Sequence, residues 1–106
     1  MPRKALDLLT ESMFYVLMVL CRASLCGTDI AAQVEAITRG RVRLGPATLY
    51  TILGKFERAG YTREVETCGR RRTYQVTEQG RAAYLQEVER LRQCLQDAQR
   101  EEARHD

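Results

Sequence analysis

The sequence predicts a mainly α-helical protein with a small β-hairpin, in the α+β class. Three segments with the apolar spacing of helices come first, two short segments with the alternation of strands follow, and the remainder returns to helical spacing. The resulting order α-α-α-β-β-α is that of a winged helix-turn-helix with an extra C-terminal helix. We therefore expect a winged helix-turn-helix domain over residues 1–76 and a separate C-terminal helix over residues 77–106.

The first helix is predicted from about Glu11 to Arg22. Thr10 is a suitable N-cap, because its hydroxyl can accept a hydrogen bond from a free backbone N–H of the first turn. The helix is apolar nearly all round, so we expect it to be buried on more than one side. After it, Gly27 suits a turn, and Leu25 is placed to form a one-residue bridge to the hairpin.

The second helix is predicted from about Asp29 to Thr38, with Thr28 as its cap. Its inward residues would be Ile30, Val34 and Ile37. The pair Arg39-Gly40 ends this helix, and residues 41–44 lead into the next one.

The third helix, predicted from Pro46 to Ala59, has the most informative pattern in the chain. Proline is favourable at the first helical position, and Gly60 is a suitable stop. The inward face carries large apolar side chains, and the outward face is small, polar and basic. The inward residues are Leu49, Ile52, Leu53 and Phe56, and the outward ones are Ala47, Thr48, Thr51, Gly54, Lys55 and Arg58. Such an outward face suits a helix that lies against a phosphate-lined groove.

Two strands follow, the first predicted from Tyr61 to Thr67 and the second from Arg72 to Val76. The turn Cys68-Gly69-Arg70-Arg71 joins them. Because side chains alternate along a strand, at least one arginine of the hairpin should point away from a ligand, and pairing with Glu64 or Glu66 would account for it.

Positive charge is concentrated around the third helix and the hairpin. The formal net charge is +3, but nine Lys or Arg and three Asp or Glu lie between Arg39 and Arg72, a local excess of six that leaves −3 for the rest. Charge runs usually solvate loops, yet this concentration favours a phosphate-facing surface. The residues predicted to contact DNA are Arg43, Thr48, Tyr50, Thr51, Lys55, Arg70, Arg71 and Arg72.

Two of these assignments have an equally simple alternative. Tyr50 lies at the edge of the core and could pack there, contact DNA, or do both. Arg43, like Arg41, could reach the DNA backbone or remain a solvated loop residue. No Asn, Gln or Arg occupies the first exposed turn of the third helix, so the operator sequence does not follow from the chain.

The last helix is predicted to carry an apolar seam with alternating four- and three-residue spacing. The seam consists of Tyr84, Val88, Leu91, Leu95 and Ala98. Because an exposed stripe of this kind is unfavourable, we expect it to form a dimer with help from Phe14 and Leu17, the first helix packing against the partner's last helix. A small effector would lodge at that junction, although a filled dimer core fits the same pattern. The effector residues would be Met13, Phe14, Leu17, Tyr84 and Val88.

Composition argues against several classes of function. The only histidine is His105, no nucleophile is paired with a base, and the four cysteines form no CxxC pair. We therefore expect no enzyme activity, no metal and no cofactor. The apolar run at residues 13–21 is too short to span a bilayer and lacks a cleavage-site pattern, which predicts a cytoplasmic protein with reduced cysteines and no membrane partner.

Three blocks of sequence resemble the PadR family of transcriptional regulators. They are LTESM at residues 9–13, RVRLGPATLY at residues 41–50 and GRRRTYQVTEQGR at residues 69–81. The resemblance implies a bacterial homodimeric repressor on a roughly palindromic operator, often released by a small phenolic or hydrophobic effector. It also implies that the third helix enters the major groove and that the wing contacts the flanking backbone, with half-sites about 10 bp apart. The chain departs from the family at residues 26–29, where aromatic character is missing, and it has no Trp.

Two other functions fit part of the sequence. A winged-helix protein-interaction module that dimerises without DNA accounts for the seam but not for the basic hairpin. A thiol-based redox-sensing regulator is the second alternative. Cys68 lies beside arginines that would favour its thiolate, Cys94 lies on the dimerisation helix, and Cys21 and Cys26 could approach each other.

Overall fold

The computed structural model describes residues 8–68 and 71–104, with the backbone alone described at residues 66–68. The elements are α1 (Glu11–Arg22), β1 (Leu25–Cys26), α2 (Gly27–Ile37), α3 (Pro46–Ala59), β2 (Thr62–Cys68), β3 (Arg71–Val76) and α4 (Glu78–Arg104). The β2–β3 hairpin is called the wing below. This order confirms the predicted fold class, a mainly helical winged helix-turn-helix with a C-terminal helix.

Helix α1 lies at the centre of the core. The Thr10 hydroxyl caps it by accepting a hydrogen bond from the Met13 N–H at 3.2 Å. Val16, Leu17 and Val19 have no exposed surface. α1 packs against α2, β3 and α4 of the same chain. The prediction that α1 is buried on more than one side is therefore confirmed. The covering helix is α4 of the same chain, whereas we had expected the partner's last helix there.

Helix α2 corrects three predictions, which concern its first residue, its cap and the inward position of Ile37. It begins at Gly27 rather than at Asp29, and its cap position is Cys26, which makes no side-chain capping bond, so Thr28 is not the cap. The reason is that β1 continues through Cys26 and leads directly into the helix. At the other end Ile37 is 39% exposed, whereas Thr38 is buried. The Thr38 hydroxyl donates to the Val34 carbonyl at 2.8 Å, which turns Thr38 inward in place of its neighbour.

Helix α3 spans the predicted residues, and Gly60 ends it in the left-handed conformation at φ 81°. The sheet that follows has the order β1-β3-β2, all antiparallel. The predicted bridge of Leu25 is a two-residue strand, in which Leu25 is paired with Tyr74. The pairing of the two strands extends to Cys68 and Arg71. The first strand is therefore shifted by one residue from its predicted position at equal length, and the second is one residue longer than predicted.

Helix α4 is fixed to the base of the wing by its first turn. The Thr77 hydroxyl donates to the Gly60 carbonyl at 2.6 Å and accepts from the Gly80 N–H at 3.0 Å. Gly80 lies against the Tyr61 carbonyl, where a Cβ would collide with backbone. Within the described residues, no helix is both long enough and apolar enough to cross a membrane.

Candidate nucleic-acid interface

The two faces of α3 are separated as the sequence predicted. Its large apolar residues are 0–6% exposed and hold the helix on the core. The predicted contacts Thr48, Thr51 and Lys55 are all exposed on the other side. At about 100° per residue, the line that points furthest from the core runs through Ala47, Thr51, Gly54 and Arg58. The outward face consists of Ala47, Thr48, Thr51, Gly54, Lys55 and Arg58. Its central line carries only short side chains from Ala47 to Gly54.

Arg58 is a candidate that was not among the predicted DNA contacts. Its guanidinium lies over Gly54. A Cβ built on that glycine would be 3.4 Å from Arg58 Nη1. Among the described residues Arg58 makes no ion pair. The signal in the sequence was a glycine four residues before an arginine on the exposed side of a helix, a spacing that leaves room for the longer side chain.

A cleft lies between α3, the start of α2 and the wing. It has a volume of 290 Å³ and is lined by Cys26, Gly27, Thr28, Tyr50, Arg71 and Arg72. We call it the wing cleft. Tyr50 is 57% exposed, and its hydroxyl lies close enough to Gly27 that a Cβ there would be 3.4 Å away. The first N–H groups of α2 receive no side-chain cap from Cys26. The cleft therefore joins a positive helix end, a hydroxyl and two arginines, which is a setting for an anion.

The three arginines of the wing that were predicted to contact DNA differ in their surroundings. Arg70 lies outside the described residues. Arg71 is exposed and forms no ion pair with any described side chain. Arg72 pairs with Glu64 across the hairpin at 3.4 Å, which confirms that at least one arginine is engaged by a neighbouring carboxylate. Burial raises the pKa of the nearby Tyr74 hydroxyl, with a smaller contribution from Glu64. Of the two described arginines, Arg71 is the one available to a ligand.

The arginines of the loop before α3 are turned towards other helices. Arg43 pairs with Glu35 at 2.9 Å. Arg41 donates to Glu11 and to the Tyr15 hydroxyl, both at 2.8 Å, and its guanidinium lies 5.8 Å from the centre of the Tyr15 ring. Hydrogen bonding to Glu11 raises the pKa of Arg41. These contacts tie the loop to α1 and α2, which favours a role in positioning α3 over direct DNA contact.

The seam of α4 divides into a covered part and an open part. Tyr84 stacks on Phe14 with ring centres 5.3 Å apart, and Val88 is half-buried. Leu91 is 40% exposed, Leu95 is 58% exposed, and Ala98 is also exposed. The open part is what a second subunit could cover. Leu85, 58% exposed on the neighbouring line of the helix, was missed because it lies outside the heptad spacing.

Two residues assigned to the dimer or to an effector are corrected. Leu17 has no exposed surface and Met13 only 5%, because both belong to the core of their own chain. Periodicity had identified an apolar helix without showing which surface covers it. Phe14 and Tyr84 fill the predicted effector junction by stacking on each other. An effector at this place would have to separate the two rings.

The described cysteines are free thiols: Cys21, half-buried; Cys26, buried; and Cys94, exposed. Burial raises the pKa of the Cys21 thiol, which disfavours its reactive thiolate. The Cys26 thiol donates to Asp29 at 3.3 Å. No described group of three or more His, Cys, Asp or Glu side chains is arranged to hold a metal ion.

A known protein family matches the part of the chain that contains the candidate interface. The model of the transcriptional regulator PadR-like family matches residues 16–86, which include α2, α3 and the wing. No curated protein sequence matches the chain significantly.

Solved structures share the fold. A transcriptional regulator from Clostridium thermocellum superposes with a TM-score of 0.74 at 22% identity, covering 83% of this chain and 89% of that chain. RosR of H. salinarum, in a complex named hsRosR-S1, gives 0.70 at 25% identity with coverages of 90% and 84%. A protein from Streptococcus mutans UA159 gives 0.61 at 28% identity with coverages of 76% and 74%.

The family match covers well over half of the chain and agrees with the three blocks of sequence that resembled this family. Its members are regulators of transcription and not enzymes. This chain therefore belongs to the PadR-like family of transcriptional regulators.

Proposed function

We propose that this protein is a sequence-specific DNA-binding regulator that acts as a homodimer, with α3 in the major groove and the wing on the flanking backbone. The observation that carries the proposal is the placement of the wing cleft beside the outward face of α3. One side of α3 thus offers groups suited to phosphate. The central line of its outward face carries short side chains, which the major groove of DNA, about 12 Å wide, can admit.

The wing cleft has the chemistry of a phosphate site. Arg71 supplies a positive charge that no described carboxylate pairs with, Tyr50 supplies a hydroxyl, and α2 supplies the N–H groups of its first turn, which Cys26 does not cap. Each of these groups donates hydrogen bonds, and charge-assisted bonds to phosphate oxygens are among the stronger ones in proteins. On the opposite side of α3, Thr48 and Lys55 are exposed for a second set of contacts. We propose that backbone contacts on both sides hold the helix in register.

The open part of the α4 seam supports the proposal of a dimer. Leu91, Leu95 and Ala98 form an apolar stripe that water would otherwise surround. Two-fold pairing through residues 77–106 would present two copies of the DNA-binding part, residues 1–76, to a palindromic operator with half-sites about 10 bp apart. Phe14, Tyr84 and Val88 remain in the proposed interface at its covered end.

Repression is the mode of regulation that we propose, since a dimer bound across an operator would obstruct transcription in the cytoplasm of a bacterial cell. Release by a small hydrophobic or phenolic effector would act through the stacked pair Phe14 and Tyr84. Opening that stack would shift α4 against α1, and with it the spacing of the two α3 helices.

Selection of bound duplexes from a randomised pool tests the proposal, with purified protein at near-physiological salt. We expect enrichment of an inverted repeat, and binding that weakens steeply as salt rises, because bound phosphates release counterions. Recovery of no motif together with salt-insensitive retention would contradict DNA binding. It would favour the alternative of a winged-helix module that dimerises through α4 to bind proteins.

A further inference from the structure

The N-terminal half of the outward face of α3 offers no free side-chain hydrogen-bond donor along its central line. Ala47 has a methyl side chain. The Thr51 hydroxyl is exposed, but it donates its proton to the Ala47 carbonyl at 2.9 Å. A hydroxyl turned back to the helix in this way leaves the γ-methyl group as the other surface that the side chain can present. The line from Ala47 to Thr51 is therefore a surface of methyl groups.

These two methyl groups lie beside a groove whose buried residues are apolar. The groove has a volume of 380 Å³ between α3 and the start of α1, and Ala47 and Thr51 line it together with Met13 and Ile52. The latter two are 5% and 6% exposed, so they form an apolar floor. The groove is also lined by the polar residues Thr10, Ser12, Thr48 and Lys55. The methyl surface is thus part of a wider apolar area and not an isolated pair of atoms.

We propose that α3 recognises thymine by its 5-methyl group, through the methyl groups of Ala47 and Thr51. In helix-turn-helix proteins the N-terminal residues of the reading helix meet the base edges. Of the four bases only thymine presents a methyl group in the major groove, where alanine and threonine methyls can contact it. This inference rests on the proposed function, because it requires α3 to lie in the groove.

Replacing thymine by deoxyuridine tests the inference, since the two differ only by the methyl group. In the selected operator, each thymine would be replaced in turn and the affinity of the full-length protein measured. We expect one or two positions in each half-site where deoxyuridine weakens binding by about fourfold, the value of one buried carbon group. No loss at any position would overturn the proposal.

Two matched variants identify the responsible atoms. Thr51→Val keeps the methyl and replaces the hydroxyl, whereas Thr51→Ser keeps the hydroxyl and removes the methyl. Both residues have helix propensities close to that of threonine, so the fold should persist, and thermal unfolding would verify it. We expect Thr51→Val to retain the preference for thymine over deoxyuridine, and Thr51→Ser to reduce the ratio of the two affinities towards one.

The opposite pattern would show that the hydroxyl oxygen recognises the base as an acceptor. In that case Thr51→Ser would keep the site preference and Thr51→Val would lose it, which would overturn the methyl contact while leaving DNA binding intact. If the wild-type protein selects no site at all, the proposed function fails first and this inference fails with it.

Discussion

The exposed faces of α3 and α4 belong to helices of similar amphipathic design, yet they present different side chains. Helix α3 buries all its large aliphatic residues and exposes small, polar and basic ones. Helix α4 leaves Leu91 and Leu95 substantially exposed, and it surrounds them with ion pairs such as Arg92 with Glu89 and Arg100 with Asp97. The exposed face of α3 is thus small and polar, whereas the exposed face of α4 carries an apolar stripe.

This difference indicates two kinds of partner. A helix face with short side chains along its centre and hydrogen-bond donors at its edges is suited to the major groove of DNA. Long side chains along the centre would hold the helix away from the base edges. An apolar stripe between ion pairs is suited to an equally apolar surface, which a second copy of α4 supplies. We therefore expect that changes on α4 alter association, and that changes on α3 or the wing alter DNA binding without altering association.

The largest effect is expected from the double substitution Leu91→Glu and Leu95→Glu. Both side chains are exposed in the subunit, so the fold should persist, but the dimer would have to bury unpaired carboxylates. An uncompensated buried charge costs about 3 kcal/mol or more, which is over a hundredfold in the dimer dissociation constant. Analytical ultracentrifugation would measure it.

Gln93→Glu is the matched control, because it adds a charge to the same turn of α4 outside the seam. We expect it to leave association unchanged. A double variant that still dimerises like the wild type would show that the subunits meet elsewhere.

A smaller effect is expected from Arg71→Ala, at about tenfold weaker binding to every duplex at moderate salt. Because each subunit would then neutralise one phosphate fewer, the slope of log affinity against log salt should fall in magnitude by about two for a dimer. Titration of a labelled duplex at several salt concentrations measures both quantities. Arg100→Ala removes the same charge from α4 and should leave the slope unchanged. Equal slopes for the two variants would contradict the assignment of Arg71.

The smallest effect is expected from Gly54→Ala, which should raise the stability of the fold and lower the affinity for DNA. Alanine should stabilise the helix by about 1 kcal/mol, which raises the Tm by several degrees. The new Cβ would lie on the outward line of α3 and 3.4 Å from Arg58 Nη1. A steric cost of about 1 kcal/mol against the DNA would weaken binding about fivefold. Thermal unfolding and duplex titration of the same sample test both. Unchanged affinity would mean that DNA does not approach the helix at this point.

The sequence was most informative where local signals act together. The bounds of α3 were predicted correctly because its apolar spacing is bracketed by Pro46 and Gly60, which act on the chain next to them. The start of α2 was not, because it depends on β1 pairing with β3 through Cys26 and Thr73, far apart in sequence. Local patterns carry no information about such a pairing.

The candidate site shows the same limit. The exposure of Thr48, Thr51 and Lys55 followed from helical spacing alone. The ion pair of Arg41 with Glu11 joins residues thirty positions apart. No local sequence pattern near either residue predicts it. Likewise, the apolar character of Leu17 was evident, but only the packed structure shows that its own chain covers it.

The central claim is that DNA is held by α3, the start of α2 and the wing, and not by α4. Amide NMR spectra of the labelled protein, recorded while a selected operator duplex is added, test this claim residue by residue. We predict shifts at Gly27, Thr28, the outward residues of α3 and Arg71, with residues 91–98 of α4 unaffected once the protein is dimeric. Shifts centred on α4, or none in α3, would contradict the account.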